Sequence, residues 1–420
     1  MSNPPPDANT LGTVSTQSAP RVVLGVGGGI AAYKVCELLR LFVESGHEVR
    51  VVPTTDALRF VGEPTWAALS GQPVATDVWD QVHEVPHVRI GQRADLVVVA
   101  PATADLLARA AGGLANDLLT NTLLTARCPV MFAPAMHTEM WEHPATRENV
   151  ARLRDRGAIV LDPAEGRLTG ADSGKGRLPD PQALFLAARA VLHRAGASAD
   201  LSGRHVVVSA GGTREPLDPV RYLGNNSSGR QGYALAATAA ARGAKVTLVA
   251  ANTSLPDPAG VDVRPVGTAR ELNDAMFAAV SGPEPVDAVV MAAAVADFRP
   301  TTTAESKIKK TGGTPTIELV PNPDILAALT RAREADELSA RVIVGFAAET
   351  DDVRRNGEEK LKSKGCDLLV VNQVGHGKAF GTTDNQAVVL GTDGSAVEIA
   401  KGPKEELADR VWDLVVDWPA

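Results

Sequence analysis

The stretches RVVLGVGGGIAAYK (residues 21–34) and HVVVSAGGTREPLDPVRYLGNNSSGRQG (residues 205–232) decide how this chain is read. In each, an apolar run of β type feeds a glycine-rich turn that opens a helical pattern. Glycine lets bare backbone N–H groups approach a phosphate at a helix N-terminus, so the pair reads as two separate sites for phosphorylated ligands. Glycines also make tight strand-to-helix turns in α/β proteins that bind nothing there, and the residues around each turn must discriminate.

Working outward from the first turn, residues 22–26, 48–52, 95–100, 130–133 and 158–161 read as strands. Residues 30–44, 104–111 and 116–126 read as helices. Continuous Val/Ile/Leu strands alternating with helices imply a parallel sheet covered on both faces. After a helical pattern at 181–195, the small polar stretch GASADLSG (196–203) reads as a linker. Around the second turn the alternation restarts, with strands at 205–209, 246–250, 288–291, 341–346 and 367–371 and helices at 229–242, 269–280 and 352–364. Residues 307–320 alternate Lys and Ile around a Thr-Gly-Gly turn at 311–313, the pattern of a hairpin flap. The expected organisation is α/β: a disordered tail (1–20), a doubly wound Rossmann-like domain (21–195), a linker (196–203) and a second Rossmann-like domain (204–420). The second is not a sequence repeat of the first.

A chain of 420 residues has room for two or three domains, each with its own core. A formal charge of −8 removes general nucleic-acid and membrane-surface binders, which need a basic footprint. Cys36, Cys128 and Cys366 are scattered, with no spacing suited to a disulfide framework or a zinc site. The first twenty residues carry no Lys or Arg and no apolar core, so neither a signal nor a transit peptide is expected. No apolar run is long enough to span a bilayer, and the expected location is the cytoplasm.

The phrases GGGIAAYK (27–34), PHVRI (86–90), APATADLLARAAGGLANDLL (100–119) and PAMHTEMW (134–141) together resemble the flavin-dependent cysteine decarboxylase family, over nearly all of the first domain. The resemblance implies FMN lying across the strand ends, held near Gly28, Gly29, Thr54, Ala102 and Thr103. It implies His87 as the catalytic histidine, a residue type whose ordinary pKa of about 6.5 suits proton movement near neutrality. Two departures stand out. His137 replaces the asparagine that the family uses to hold the substrate carboxylate, and it can still donate a hydrogen bond. In RLTGADSGKGR (167–177), Gly170 stands where the family has a cysteine that protonates the product, which leaves Asp172, Ser173 or water for that task.

The phrases SAGGTREPLDPVRYLGNNSSG, AAAVADF, KIKK, NPDIL and GFAAET resemble phosphopantothenate–cysteine ligase across nearly the whole second half. The order and fusion resemble the bacterial bifunctional enzymes that make 4′-phosphopantetheine for coenzyme A. The resemblance implies activation of 4′-phosphopantothenate by CTP to an acyl-cytidylate, attack by the amine of L-cysteine, and Mg²⁺ on the pyrophosphate leaving group. Nucleotidyl transfer builds negative charge that cations stabilise. Lys307 would supply it from the hairpin, and Lys360 and Lys364 from one helix face; spacing alone equally fits a solvated face. The resemblance further places Met291, Ala292, Ala293, Asp297, Pro323, Asp324, Ile325, Leu326 and Phe346 at the nucleotide, and Arg221 and Asn225 at the acyl intermediate. Asp297 also stands out unaided, since it follows an apolar run at a strand C-terminus, where open α/β sheets bind ligands.

The sequence reading is therefore a bifunctional enzyme that ligates and then decarboxylates, and the resemblance further implies a homo-oligomer of trimeric first domains joined through paired second domains. A flavoprotein that prenylates FMN and a non-enzymatic flavoprotein that binds a phosphatase are the rival readings. The fused second half argues against the first rival, and His87 with the complete ligase phrases against the second.

Overall fold

A computed structural model of the chain describes residues 19–74, 86–168, 172–194, 199–282, 284–309, 316–349, 352–373 and 384–419. Residues 1–18 of the expected tail (1–20), the turn at 311–313 and Gly170 lie outside the described residues.

The first sheet has five parallel strands in the spatial order Glu48–Pro53, Arg21–Val26, Leu96–Ala102, Val130–Pro134, Ile159–Val160. Successive residues of a strand face opposite sides. Val22, Leu24 and Val26 accordingly join one core cluster with helices Ala32–Glu44 and Pro181–His193, while Val23, Val97 and Val99 join another with Ala104–Gly112 and Leu118–Thr125. Helix Ala32–Glu44 buries Val35, Leu38, Leu39 and Phe42, the one-face spacing of an amphipathic helix. Each such side chain contributes about 1.5–3 kcal/mol on burial. The sheet is doubly wound, and the strand order reverses between Arg21–Val26 and Leu96–Ala102.

The second sheet has eight strands in the order Val261–Val266, Lys245–Ala251, His205–Gly211, Val286–Met291, Ala340–Glu349, Leu368–Gln373, Asp384–Gly391, Ala396–Pro403. The first six run parallel and the last two antiparallel. Again the faces alternate: Val206, Val208 and Ala210 pack with helices Arg230–Ala241 and Lys404–Asp417, and Val207, Val249 and Val289 with Ala269–Val280 and Ile325–Glu334. The order reverses between His205–Gly211 and Val286–Met291, the Rossmann crossing. The two halves thus share an architecture and differ in strand order.

Two expectations change in detail. Leu201 is fully buried in the second core, so packing begins inside the stretch read as a linker; residues 195–198 are outside the described set. Asp200 holds the buried guanidinium of Arg242 at 2.6 and 2.9 Å and meets Arg194 at 3.0 Å, so the connector is anchored to both halves. The flap pairs Phe298–Pro300 with Leu319–Pro321, so its first strand precedes the Lys/Ile run, and Lys307 stands in irregular chain. Pro300 closes the short strand, and the alternation beyond it has no partner strand among the described residues.

Candidate functional site

Three adjacent strand ends meet at the first reversal. Gly27 N–H donates to the Pro101 carbonyl at 3.1 Å, which ties the glycine turn to the end of strand Leu96–Ala102. A β-carbon at Gly27 would strike that carbonyl and one at Gly28 would strike Asp56, so the turn tolerates only glycine. Thr54 follows strand Glu48–Pro53 beside Val26; it is buried and its hydroxyl accepts from Ala57 N–H at 3.2 Å. Thr103 caps helix Ala104–Gly112, accepting from Leu106 N–H at 3.2 Å. Gly28, Gly29, Thr54, Ala102 and Thr103 are therefore brought to one edge. Burial and the neighbouring charge of Arg177 push the Lys34 ammonium below its ordinary pKa, against Asp180, so cations crowd the turn's far side.

His137 heads the short helix Thr138–Glu142 just past strand Val130–Pro134, exposed and making no capping bond with its ring. Against it lies a hairpin, Ala164–Arg167 with Ser173–Arg177. Gly176 accepts from Met136 N–H at 3.0 Å, and a β-carbon at Gly174 would collide with Thr138. Lys175 reaches Asp162 at 2.6 Å, and Asp162 meets Arg154 at 2.8 Å. Burial would raise the Asp162 carboxyl, but these two cations hold it below the ordinary range. Asp172 is exposed beside the hairpin turn, its carbonyl accepting from Leu168 N–H at 2.8 Å. His87 lies in helix Pro86–Arg93, which packs on Leu118–Thr125; its side chain is outside the described residues.

Much of the 100–119 phrase turns out to be helix-end chemistry. Thr103 and Asp117 cap consecutive helices, and Arg109 bridges them to Asp117 at 2.6 Å.

At the second reversal a cavity of about 780 Å³ opens. The glycines at its strand end serve packing: Gly211 is left-handed (φ +86°) and a β-carbon there would strike Ala251. The chain then makes a small hairpin, Arg214–Pro216 with Tyr222–Gly224, before Ser227–Gly229 opens helix Arg230–Ala241 into the cavity. The turn that lines the cavity is thus NNSSG, not the SAGG that follows the strand.

Met291, Ala292, Ala293, Asp297, Pro323, Asp324, Ile325, Leu326, Phe346, Lys360, Lys364 and Asn225 all line the cavity. Ala293 N–H donates to Ser209 Oγ at 3.1 Å, and Asn225 Nδ2 donates to the Val295 carbonyl at 2.8 Å, which fixes the loop carrying Asp297. Lys360 pairs with Glu349 at 2.9 Å and Lys364 with Asp324 at 2.5 Å, so both cations are held at the rim by carboxylates an anion must displace. Lys307 and Arg221 are not in the lining. Arg221 binds Asp218 at 2.5 Å and the Ile308 carbonyl at 3.0 Å, which places the exposed Lys307 segment beside it. The hydrogen bond from Arg221 holds the Asp218 carboxyl well below its usual range, against desolvation.

Sequence reasoning missed Glu349, Asn372, Asn385, Gln231 and Lys404. Asn372 Oδ1 is buried with no hydrogen-bond partner. Like Asp297 it ends an apolar run, and that signal could have found it. Among the described residues no group of three or more His, Cys, Asp or Glu could hold a metal ion, and no helix is long and apolar enough to cross a membrane.

Residues 201–418 match the family model described as the DNA/pantothenate metabolism flavoprotein C-terminal domain, and residues 6–193 match the one described as Flavoprotein. A Mycobacterium bovis protein described as coenzyme A biosynthesis bifunctional protein CoaBC is 58% identical over 95% of this chain and 97% of its own length. Proteins of the same description from Vibrio vulnificus strain CMCP6 (41%, covering 91% and 94%) and Bacillus subtilis strain 168 (40%, covering 90% and 92%) are also similar. Among solved structures, the C-terminal domain of a CoaBC protein covers 52% of this chain and 97% of its own at 32% identity and TM-score 0.44. The FMN-dependent cysteine decarboxylase SpaF covers 43% and 99% at 34% identity and TM-score 0.37.

Proposed function

The chain belongs to the family of coenzyme A biosynthesis bifunctional proteins and carries phosphopantothenate–cysteine ligase and phosphopantothenoylcysteine decarboxylase activities, and we propose how its residues divide that work. The observation that carries the division is the presence of two strand-order reversals on one chain, each with its own set of polar groups at the strand ends.

Residues 204–420 hold the ligase. CTP occupies the cavity, with Lys360 and Lys364 leaving Glu349 and Asp324 to meet the triphosphate as charge builds on it. The carboxylate of 4′-phosphopantothenate attacks the α-phosphate, pyrophosphate leaves, and the amine of L-cysteine takes the acyl group from the cytidylate. Asn225 and Arg221 position the acyl intermediate, and Lys307 approaches from the flap. Mg²⁺ fits as a cation brought with the triphosphate, since Asp297 is an exposed carboxylate on the loop after strand Val286–Met291 while no complete protein cage exists among the described residues.

Residues 21–195 hold the decarboxylase. The half-buried backbone at Gly28 and Gly29, with Thr54 and Thr103 beside it at the strand ends, fits the phosphate and ring edge of FMN. Bound there, FMN supplies reversible two-electron chemistry, so no net oxidant is consumed. His87 moves the substrate proton, and His137 donates to the substrate carboxylate from its helix end. Asp172, Ser173 or water returns a proton to the product under the hairpin. The protein is a cytoplasmic homo-oligomer of trimeric decarboxylase units joined by dimeric ligase domains. Exposed Tyr33 and Ile30 in the first half, and Val220, Tyr222 and Phe298 on the neighbouring hairpins of the second, support this assembly. Its mass by light scattering tests the assembly; a monomer would contradict it.

A further inference from the structure

The hairpin of the first half, Ala164–Arg167 with Ser173–Arg177, carries Gly166, Gly174 and Gly176 in its two strands. Glycine loses more backbone freedom on ordering than any other residue, so such a hairpin stays loose unless something outside it holds it. One hold is on the face turned to His137. Met136 N–H donates to the Gly176 carbonyl at 3.0 Å, and β-carbons at Gly174 and Gly176 would strike Thr138 and Met136. The ladder slips between Ala164 and Glu165, which leaves Gly176 out of the pairing and turned to Met136.

The other hold is on the opposite face. Successive residues of a strand point opposite ways, and Lys175, between the two glycines, reaches Asp162 at 2.6 Å. Arg154 takes the other oxygen of that carboxylate at 2.8 Å and also donates to the Val160 carbonyl at 2.6 Å, so Asp162 is fixed independently of the hairpin. The second half of the chain backs it. Ala259 is buried in the first half's core, and Gly260 (φ +75°) lies against Leu161 and the Asp162 backbone. Residues 174–176 are thus clamped from both faces, and Ser173 and Asp172 stand next to the clamp in sequence.

We propose that Asp162 is a positioning residue for decarboxylation: through Lys175 it presses the hairpin onto Met136–Thr138 and so sets the place from which residues 172–173, or a water they hold, return the product's proton. The inference rests on reading residues 21–195 as the decarboxylase. Loss of CO₂ together with a hydride gives an enethiol, which becomes phosphopantetheine when it takes up a proton and regains the hydride. With the hairpin displaced, that protonation slows and the enethiol is released, dissolved oxygen taking up the two electrons as hydrogen peroxide.

The test uses the full chain with Lys175→Met, Lys175→Arg and Asp162→Asn. Phosphopantothenoylcysteine is supplied in air, and CO₂, phosphopantetheine and the enethiol are measured together. Amide hydrogen exchange around Met136, the thermal midpoint and pyrophosphate release from CTP are followed alongside. In Lys175→Met the exchange around Met136 should quicken about fivefold or more, as local opening loses a charge-assisted contact. The ratio of phosphopantetheine to CO₂ should fall about threefold or more, with enethiol making up the difference, if proton return depends on the clamp. Asp162→Asn should do the same, Lys175→Arg should stay near the parent in both readouts, and pyrophosphate release should not change. A ratio of phosphopantetheine to CO₂ that stays at one in Lys175→Met overturns the proposal, whatever the exchange rate. So does a loss of both products in step with a lower thermal midpoint, which would leave the pair a structural contact. A parent that forms no CO₂ contradicts instead the decarboxylase reading on which the proposal rests.

Discussion

Lys364 Nζ lies 2.5 Å from Asp324 Oδ2, and the same carboxylate caps helix Ile325–Glu334 by accepting from Ala327 N–H at 3.1 Å. Burial would raise the Asp324 carboxyl, but Lys364 and the Ala327 N–H hold it below the ordinary range. A depressed folded pKa adds stability above the unfolded value, near 4, and that stability is lost as pH falls through the folded value. Asp324→Asn keeps a capping side chain and removes the charge. The parent should therefore lose more stability than the variant as pH is lowered from about 5 to 3, by up to about 1 kcal/mol for so exposed a pair. Denaturant midpoints at each pH check this; parallel profiles would contradict it.

Gly28→Val drives a side chain into Asp56 and must displace the turn. The variant should purify with flavin occupancy reduced at least about tenfold, while pyrophosphate release from CTP stays at the parental rate. Undiminished yellow colour would move the flavin away from this turn.

His87→Asn should lower CO₂ release by roughly 10² or more, the usual worth of a positioned acid or base, and leave the ligase intact. Measuring both products in one assay is enough. Equal loss of both would mean that the substitution disturbs the fold.

None of the three cysteines is placed to be an acid at the decarboxylase edge. Cys128 precedes strand Val130–Pro134, at the end of the sheet opposite the glycine turn, and burial pushes its thiol up to about 11. Cys366 is buried in the other half, its thiol pushed up to about 11 as well, and burial also raises Cys36 within the first helix. A variant with all three changed to alanine should make phosphopantetheine within about threefold of the parental rate, since no proton-transfer group is removed. Release of CO₂ with accumulation of the oxidised enethiol would instead make one of them the donor.

The strands were legible because parallel strands buried on both faces are uninterrupted apolar runs, as at residues 96–100 and 286–291. Helix Ala269–Val280 was legible to the residue because Thr268 and Glu271 form a capping box. The connection after His205–Gly211 was not: glycines placed for strand packing look the same in sequence as glycines placed for a phosphate. Asp297 could be found from its strand end. Lys404 could not, because a lysine at a helix start reads as solvated until the second helix that buries it is in place.

Supplying phosphopantothenate, L-cysteine and either CTP or ATP to the full-length protein, and following pyrophosphate and CO₂ together, tests the central claim most directly. With CTP the two products should appear in equal amounts, with no added oxidant and with ATP a poor substitute. CO₂ formed without pyrophosphate, or ATP serving as well as CTP, would contradict the account.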